Sequence, residues 1–215
     1  MNQKAEQEEI AKPKAAEERA AKRDFEYDYY FIMCSFANGA LILNNDDKVE
    51  IMGAAMLSYQ HPVPYNYGVH LCLNSASRES KQSYEQDGHG LEGNCTVFSK
   101  RVSDAIRSQN FKNIQLVPVI IRGKKDQSIE GYSAINILKK LSTLDREKSV
   151  YKADEYSSDP ANKWRNIDKI VLDKEKLSQI PLDERLVYIA DEHCGYMFFH
   201  KKVVDTILSV NPNNI

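Results

Sequence analysis

The sequence predicts an α+β fold of mixed or antiparallel sheets with a few packed helices, and three observations lead there. Short runs rich in β-branched and aromatic residues, bounded by turn residues, recur from Tyr29 onward and read as strands. Two segments carry apolar residues at helical spacing, one through Val102, Ala105 and Ile106 and one over Lys201 to Leu208, and each directly follows such a run. These two strand–helix junctions also echo each other. In both, a Phe (Phe98, Phe199), a basic pair (Lys100-Arg101, Lys201-Lys202), a Val (Val102, Val203), an Asp (Asp104, Asp205) and an Ile (Ile106, Ile207) occupy the same places. A duplicated strand–helix unit explains the echo. So does the single apolar template that all amphipathic helices share.

The elements follow in chain order. Residues 1–23 are rich in Ala, Glu, Lys and Gln and hold almost no large apolar side chain, so they read as a charged extension, a solvated helix or a frayed tail. Tyr29 to Ala37 and Ala40 to Leu43 read as strands joined by the hairpin turn Asn38-Gly39. A second turn at Asn44 to Asp47 precedes the apolar stretch Val49 to Leu57, and Val69 to Leu73 is a strand. Residues 74–94 are polar, contain Gly88, Gly90 and Gly93, and read as a long loop. Cys95 to Phe98 is a strand, and Ser99 is placed to cap the helix that follows. Gln115 to Ile121 is a strand in which Pro118, lacking an N–H, points to an edge position or a bulge. Gly131 to Leu144 fits helix or strand equally. Ile167 to Leu172, Arg185 to Ala190 and Tyr196 to Phe199 read as strands, the last leading into the closing helix.

Composition sets the outer limits. A chain of 215 residues with 42% hydrophobic and 28% charged residues builds its own core, burying roughly 70% of its unfolded surface without metal or disulfide staples. Lys plus Arg (29) nearly balance Asp plus Glu (31), which disfavours a non-specific nucleic-acid binder. No apolar run is long enough to span a bilayer, and no signal-peptide core is present at the start, so the expected location is the cytosol. Cys34, Cys72, Cys95 and Cys194 form no CxxC and read as free thiols.

Catalytic signatures for phosphate loops, nucleophile elbows and zinc proteases are missing from the sequence. His70 and Cys72 share a strand face, but four zinc ligands cannot be assembled, and no metal or cofactor is implied. Cys95 with His89, or Cys194 with His200, are the pairs that would serve an enzyme with a Cys/His site. Such an enzyme, with its site in the 74–95 loop, is the main alternative. An adaptor for a secreted effector, docking through residues 1–23, is a third. A different surface stands out for partner binding. Asp154, Glu155 and Asp159 cluster with Tyr156 and Trp164, carboxylates that steer a basic partner beside aromatics that give contact area at low entropy cost.

From Phe98 to Ile207 an ordered series of segments resembles the Imm11-type immunity proteins of bacterial polymorphic toxin systems, a family catalogued earlier as a domain of unknown function. Phe98 to Ile106 is similar to the family's strand, Ser, helix element, and Leu116 to Val119 to its proline-containing strand. Tyr132 with Asn136 is similar to its Tyr-x-x-x-Asn strand, and Leu144, Asp145, Ser149 and Tyr151 to its Leu-Asp-x-x-x-Ser-x-Tyr signature. Ile167 to Leu172, Arg185 to Ala190 and Phe198 to Ile207 follow the closing pattern, with His200 where that pattern often has Ser. The resemblance implies an α+β protein in which Tyr132 to Leu138 is strand. It also implies a non-enzymatic antitoxin whose partner is a cognate protein toxin encoded by an adjacent gene. The chain accordingly divides into the 1–23 extension, a β-rich region over 24–97 and an Imm11-like α+β domain over 98–215, with Asp154, Glu155, Tyr156, Asp159 and Trp164 as the toxin-binding candidates.

Overall fold

A computed structural model describes residues 28–32, 41–45, 62–63, 69–73, 81–91, 94–123, 127–151, 167–192 and 196–215. The Asn38-Gly39 turn, the Val49 to Leu57 stretch and the 1–23 extension lie outside these residues. The described strands are β1 (Tyr29–Tyr30), β2 (Ile42–Asn45), β3 (Val69–Leu73), β4 (Gly88–Leu91), β5 (Asn94–Ser99), β6 (Ile114–Arg122), β7 (Ser128–Ile137), β8 (Lys140–Leu141), β9 (Val150–Tyr151), β10 (Ile167–Lys169), β11 (Val187–Ala190) and β12 (Met197–His200). The helices are α1 (Lys100–Ser108), α2 (Lys174–Gln179) and α3 (Lys201–Leu208). The fold is α+β with mixed sheets, as the sequence predicts. No helix among the described residues is long and apolar enough to cross a membrane.

Strands β2 to β7 close into a barrel in the order β2-β3-β6-β7-β5-β4. Two of its pairings, β2 with β4 and β3 with β6, are parallel, and the others are antiparallel. Alternation along the strands fills the interior: Leu43, Leu71, Val97, Val117, Val119, Ile121 and Ala134 are all buried in one cluster. Strand β7 is buried on both faces. Tyr132 and Ala134 belong to the barrel interior, whereas Ile135 and Ile137 join the core outside it. A strand buried on both sides loses the polar/apolar alternation that marks a half-buried one, which is why Gly131 to Leu144 fits either state by sequence.

Outside the barrel lies a four-stranded sheet in the order β1-β12-β11-β8. One face presents Val187, Ile189, Met197 and Phe199 to the core shared with the barrel wall. The other presents Tyr188, Ala190 and Phe198 to a separate core containing Tyr29, Leu144, Leu172 and, from α2, Leu177. A two-stranded pair, β9 with β10, stands beside it.

The two echoing segments adopt one structure. In each, a strand ends in a buried Phe and runs straight into a helix, and Phe98, Val102, Ile106, Phe199, Val203 and Ile207 meet in a single core. The correspondence extends past the helices. Asn110 and Asn211, each four residues beyond the shared Ile, both take φ 49° and donate a backbone N–H to Arg107 (3.1 Å) and Leu208 (2.9 Å). Asn tolerates this left-handed conformation better than most residues. The basic pair that opens each helix, unfavourable next to the helix dipole, is drawn away from it: Lys100 pairs with Asp104, Lys201 with Asp205, and Arg101 with Asp87.

Four expectations need correction. Residues 74–94 are not simply a loop: Lys81–Glu85 form a 3-10 turn and β4 completes the barrel. Asn44 and Asn45 lie in β2 and not in a turn. Strand β6 is interior, paired on both sides, which removes the edge position offered for Pro118 and leaves the bulge alternative, in keeping with the register shift between Val119 and Ile121. The Ile167 to Leu172 strand is shorter, ending at Lys169, with Leu172 making a lone bridge to Leu144.

Candidate functional site

Asp154, Glu155, Tyr156, Asp159 and Trp164 lie outside the described residues, as do Cys34, His193 and Cys194. The strands that flank 152–166, β9 and β10, pair with each other, Ile167 opposite Tyr151. The described histidines occupy structural positions. His89, proposed as a partner for Cys95, is fully buried inside the barrel, directly across from Val97. Its Nδ1 accepts the Leu41 N–H at 3.1 Å, its Nε2 has no partner, and its ring lies 5.0 Å from that of Tyr132. Burial pushes its pKa down to about 4, partly opposed by the charge of Asp87. His200 caps α3, its Nδ1 accepting the Lys202 N–H at 3.1 Å. His70 and Cys72 sit two apart on β3, half-buried. No group of three or more His, Cys, Asp or Glu side chains able to hold a metal is found among the described residues.

The polar residues that carry the family resemblance turn out to be fasteners. Ser99 caps α1 by accepting the Val102 N–H and also donates its hydroxyl to Asp87 at 2.5 Å. Asp87, nearly sealed from solvent, also takes the Arg101 guanidinium and the Asn213 N–H at 2.8 Å. Burial pushes its carboxyl up, but hydrogen bonds from Arg101, Ser99 and Asn213 together with the Arg101 charge outweigh that and hold it below its ordinary value. The Tyr132 hydroxyl donates to the carbonyls of Tyr84 (2.6 Å) and Gln86 (3.1 Å). Asn136 donates to Gln115 at 3.1 Å, and the Gln115 amide grips the backbone of Val63 through both its N–H and its carbonyl. Each of these ties a segment preceding residue 98 onto β6, β7 or α1.

The Leu144, Asp145, Ser149 signature does a related job at the sheet. Leu144 is buried and bridges Leu172, and the Asp145 N–H donates to the Val171 carbonyl at 2.8 Å. The Ser149 hydroxyl accepts from the Val171 N–H at 3.1 Å and donates to its carbonyl at 3.3 Å. The stretch Ile170 to Leu172 is thereby pinned as one wall of a groove of about 670 Å³. That volume falls among clefts that hold small ligands or a few side chains, roughly 300–1,000 Å³.

The opposite wall is a ladder of aromatic rings. Tyr188 stacks on Phe198 (5.2 Å between centroids), and Phe198 meets Phe31 (4.9 Å), which also touches Tyr196 (5.6 Å). Tyr29 meets Tyr188 edge-on at 5.6 Å. Burial grades along the ladder: Tyr188 is 0% exposed, Phe198 3% and Phe31 46%. Lys148 and Lys169 stand at the groove rim. Sequence reasoning did not single out this face. Its trace was the spacing of two in Tyr29/Phe31 and Tyr196/Phe198, which puts each pair on one side of a strand. Nothing local shows that the two pairs face each other, since that depends on the pairing of β1 with β12.

Comparison with known proteins comes to rest on one family. The immunity protein family (Imm11) matches residues 69–180, which is 112 of 215 residues and so just over half of the chain. The match begins in β3, upstream of Phe98. No curated protein matches the chain.

Proposed function

The chain belongs to the immunity protein family Imm11, and on that premise we propose that it binds a cognate bacterial toxin and neutralises it by direct protein–protein contact in the cytosol, without chemistry of its own. Family membership is the observation that carries this reading. The groove supports it, because a half-exposed aromatic ring against a hydrogen-bonded wall is the kind of feature on which interface energy concentrates. Protection requires a very low concentration of free toxin, hence a dissociation constant near nanomolar or below, about −12 kcal/mol.

The test is co-expression with the product of the neighbouring gene, scoring survival and co-purification. Rescue of growth together with a stable complex is expected. Death despite co-expression, or a neighbour that is harmless alone, would overturn the reading. We place a second part of the interface at Asp154, Glu155, Tyr156, Asp159 and Trp164, whose flanking strands β9 and β10 stand beside the groove: Lys148, two residues before β9, and Lys169, the last of β10, both line it. The carboxylates there would steer a basic toxin surface. Reversing Asp154 and Glu155 to Lys is expected to slow association and weaken binding. Unchanged affinity would remove that segment from the interface.

A further inference from the structure

Granting the immunity reading, we propose that the groove between Phe31 and the Ile170 to Leu172 wall is an anchor site, which takes an apolar toxin side chain flanked by a carboxylate. The carboxylate meets Lys169. Three observations carry this.

The first is the graded ladder. Two rings, Tyr188 and Phe198, are sealed, and the third, Phe31, leaves nearly half of its surface in water while touching Phe198 and Tyr196. An apolar group placed on that exposed part completes the stack and removes the ring from water. Aromatic contacts of this kind give more than their area alone.

The second is rigidity. At the centre of the far wall both backbone polar groups of Val171 are already engaged, its N–H by Ser149 and its carbonyl by Ser149 and Asp145. Leu172 is buried against Leu144. A site so held loses little conformational freedom when it is filled, and that raises affinity.

The third is charge. The rim carries two cations, and of these Lys148 is engaged by Asp145 at 2.7 Å. Lys169 is exposed and has no carboxylate partner among the described residues. A carboxylate beside the anchor would complement it. The same charge argues against a second copy of this chain as the occupant. In a two-fold dimer the same patch meets itself, and an isologous contact here would bring the rim lysines of two copies together.

The experiment measures affinity and association rate between the full chain and the purified neighbouring-gene product, for the wild type and for Phe31→Ala, Lys169→Glu and Lys169→Arg. Phe31→Ala is expected to weaken binding by thirtyfold or more, on the scale of an interface hot spot, roughly 2 kcal/mol. Lys169→Glu is expected to weaken it at least tenfold and to slow association, with a reduced dependence on salt, while Lys169→Arg stays within about threefold of wild type. Wild-type binding with Phe31→Ala and Lys169→Glu both unchanged overturns the groove and leaves the immunity reading intact. No binding by the wild type overturns both. A wild-type dimer in sedimentation that Phe31→Ala dissolves replaces the toxin with a second copy as the occupant. Should Phe31→Ala fold poorly, Lys169→Glu, a substitution at an exposed side chain, decides alone.

Discussion

The two strand–helix units share a template and differ in what they hang from. The first grows out of a closed barrel. Its cap, Ser99, is fastened to Asp87, which in turn holds Arg101 and the backbone of Asn213. The second grows out of an open sheet. Its cap is His200, whose ring lies 5.3 Å from that of Tyr29 and whose Nε2 is 3.9 Å from Asp28. Around the first unit polar groups converge on one another and are used up. Around the second, on the other face of the same sheet, aromatic rings run outward and end in water at Phe31. The first half closes its polar groups on one another and the second leaves an aromatic edge in water; under the proposed function the one would supply a scaffold that does not yield and the other a face that is not yet satisfied.

The strongest way to break the comparison is at the shared core. Phe98 and Phe199 are both sealed and belong to one cluster. Truncation of either to Ala is expected to cost about 3–5 kcal/mol, a large part of the stability of an ordinary domain. Because the two sides meet in one core, the double variant should cost measurably less than the sum of the singles. Urea unfolding of the four proteins checks this. Strict additivity would mean that the two units, though alike in structure, are stabilised separately.

His89 sharpens the contrast from within the barrel. Its pKa, about 4 in the folded chain against an ordinary value of 6.5, means that the unfolded chain takes up a proton that the folded barrel refuses. Stability is therefore full above pH 6.5, falls as the pH drops towards 4, and loses about 3 kcal/mol over that window. Protonation also removes the acceptor of the Leu41 N–H. His89→Asn, which keeps an acceptor near the same place without a titration, should flatten that part of the curve. Unfolding midpoints at pH 7 and pH 4.5 that fall equally in wild type and variant would show that His89 is not the acid-sensitive group.

What could be read from the chain beforehand follows the locality of the causes. Both long helices were legible in kind and place, because an apolar stripe lies within a dozen positions of Ser99 and of His200, and Ser99 was legible as a cap; the cap made by the His200 ring was not. Strand β4 was not. Gly88 and Gly90 give it little intrinsic preference, and it is held from afar: the Gly88 N–H donates to the Asn214 side chain at 3.2 Å and its carbonyl accepts from the same amide at 2.8 Å, across 126 positions of sequence. The site shows the same division. The family series was readable as a series, but whether Ser149 is a contact or a fastener depends on Val171, which only the fold brings to it. The aromatic face was readable as alternation and not as a groove, because β1 and β12 are separated by most of the chain.

The smallest expected effect is the most specific to the comparison, for it concerns the two caps. Ser99→Ala removes an acceptor for the Val102 N–H and a donor to Asp87, and should cost about 1–2 kcal/mol, the range for losing a helix cap. His200→Ala removes the acceptor for the Lys202 N–H together with the ring contact to Tyr29, and loss of the cap itself should cost about 1 kcal/mol or less. The two also differ in kind. A hydroxyl does not titrate in the working range, whereas burial lowers the pKa of His200, partly opposed by Asp28, and a protonated Nδ1 can no longer accept. The first cap should therefore cost the same to remove at pH 7.5 and at pH 5.5. The second should cost less at pH 5.5, because below the ordinary histidine value the unfolded chain takes up a proton that the folded His200 resists. Unfolding free energies of the two variants at both pH values measure the difference. If His200→Ser, which puts at this cap the hydroxyl that Ser99 supplies at the other, abolishes the pH dependence and keeps the stability of the neutral wild type, then the imidazole at His200 is what makes the open half of the molecule more sensitive to acid at its cap than the closed half.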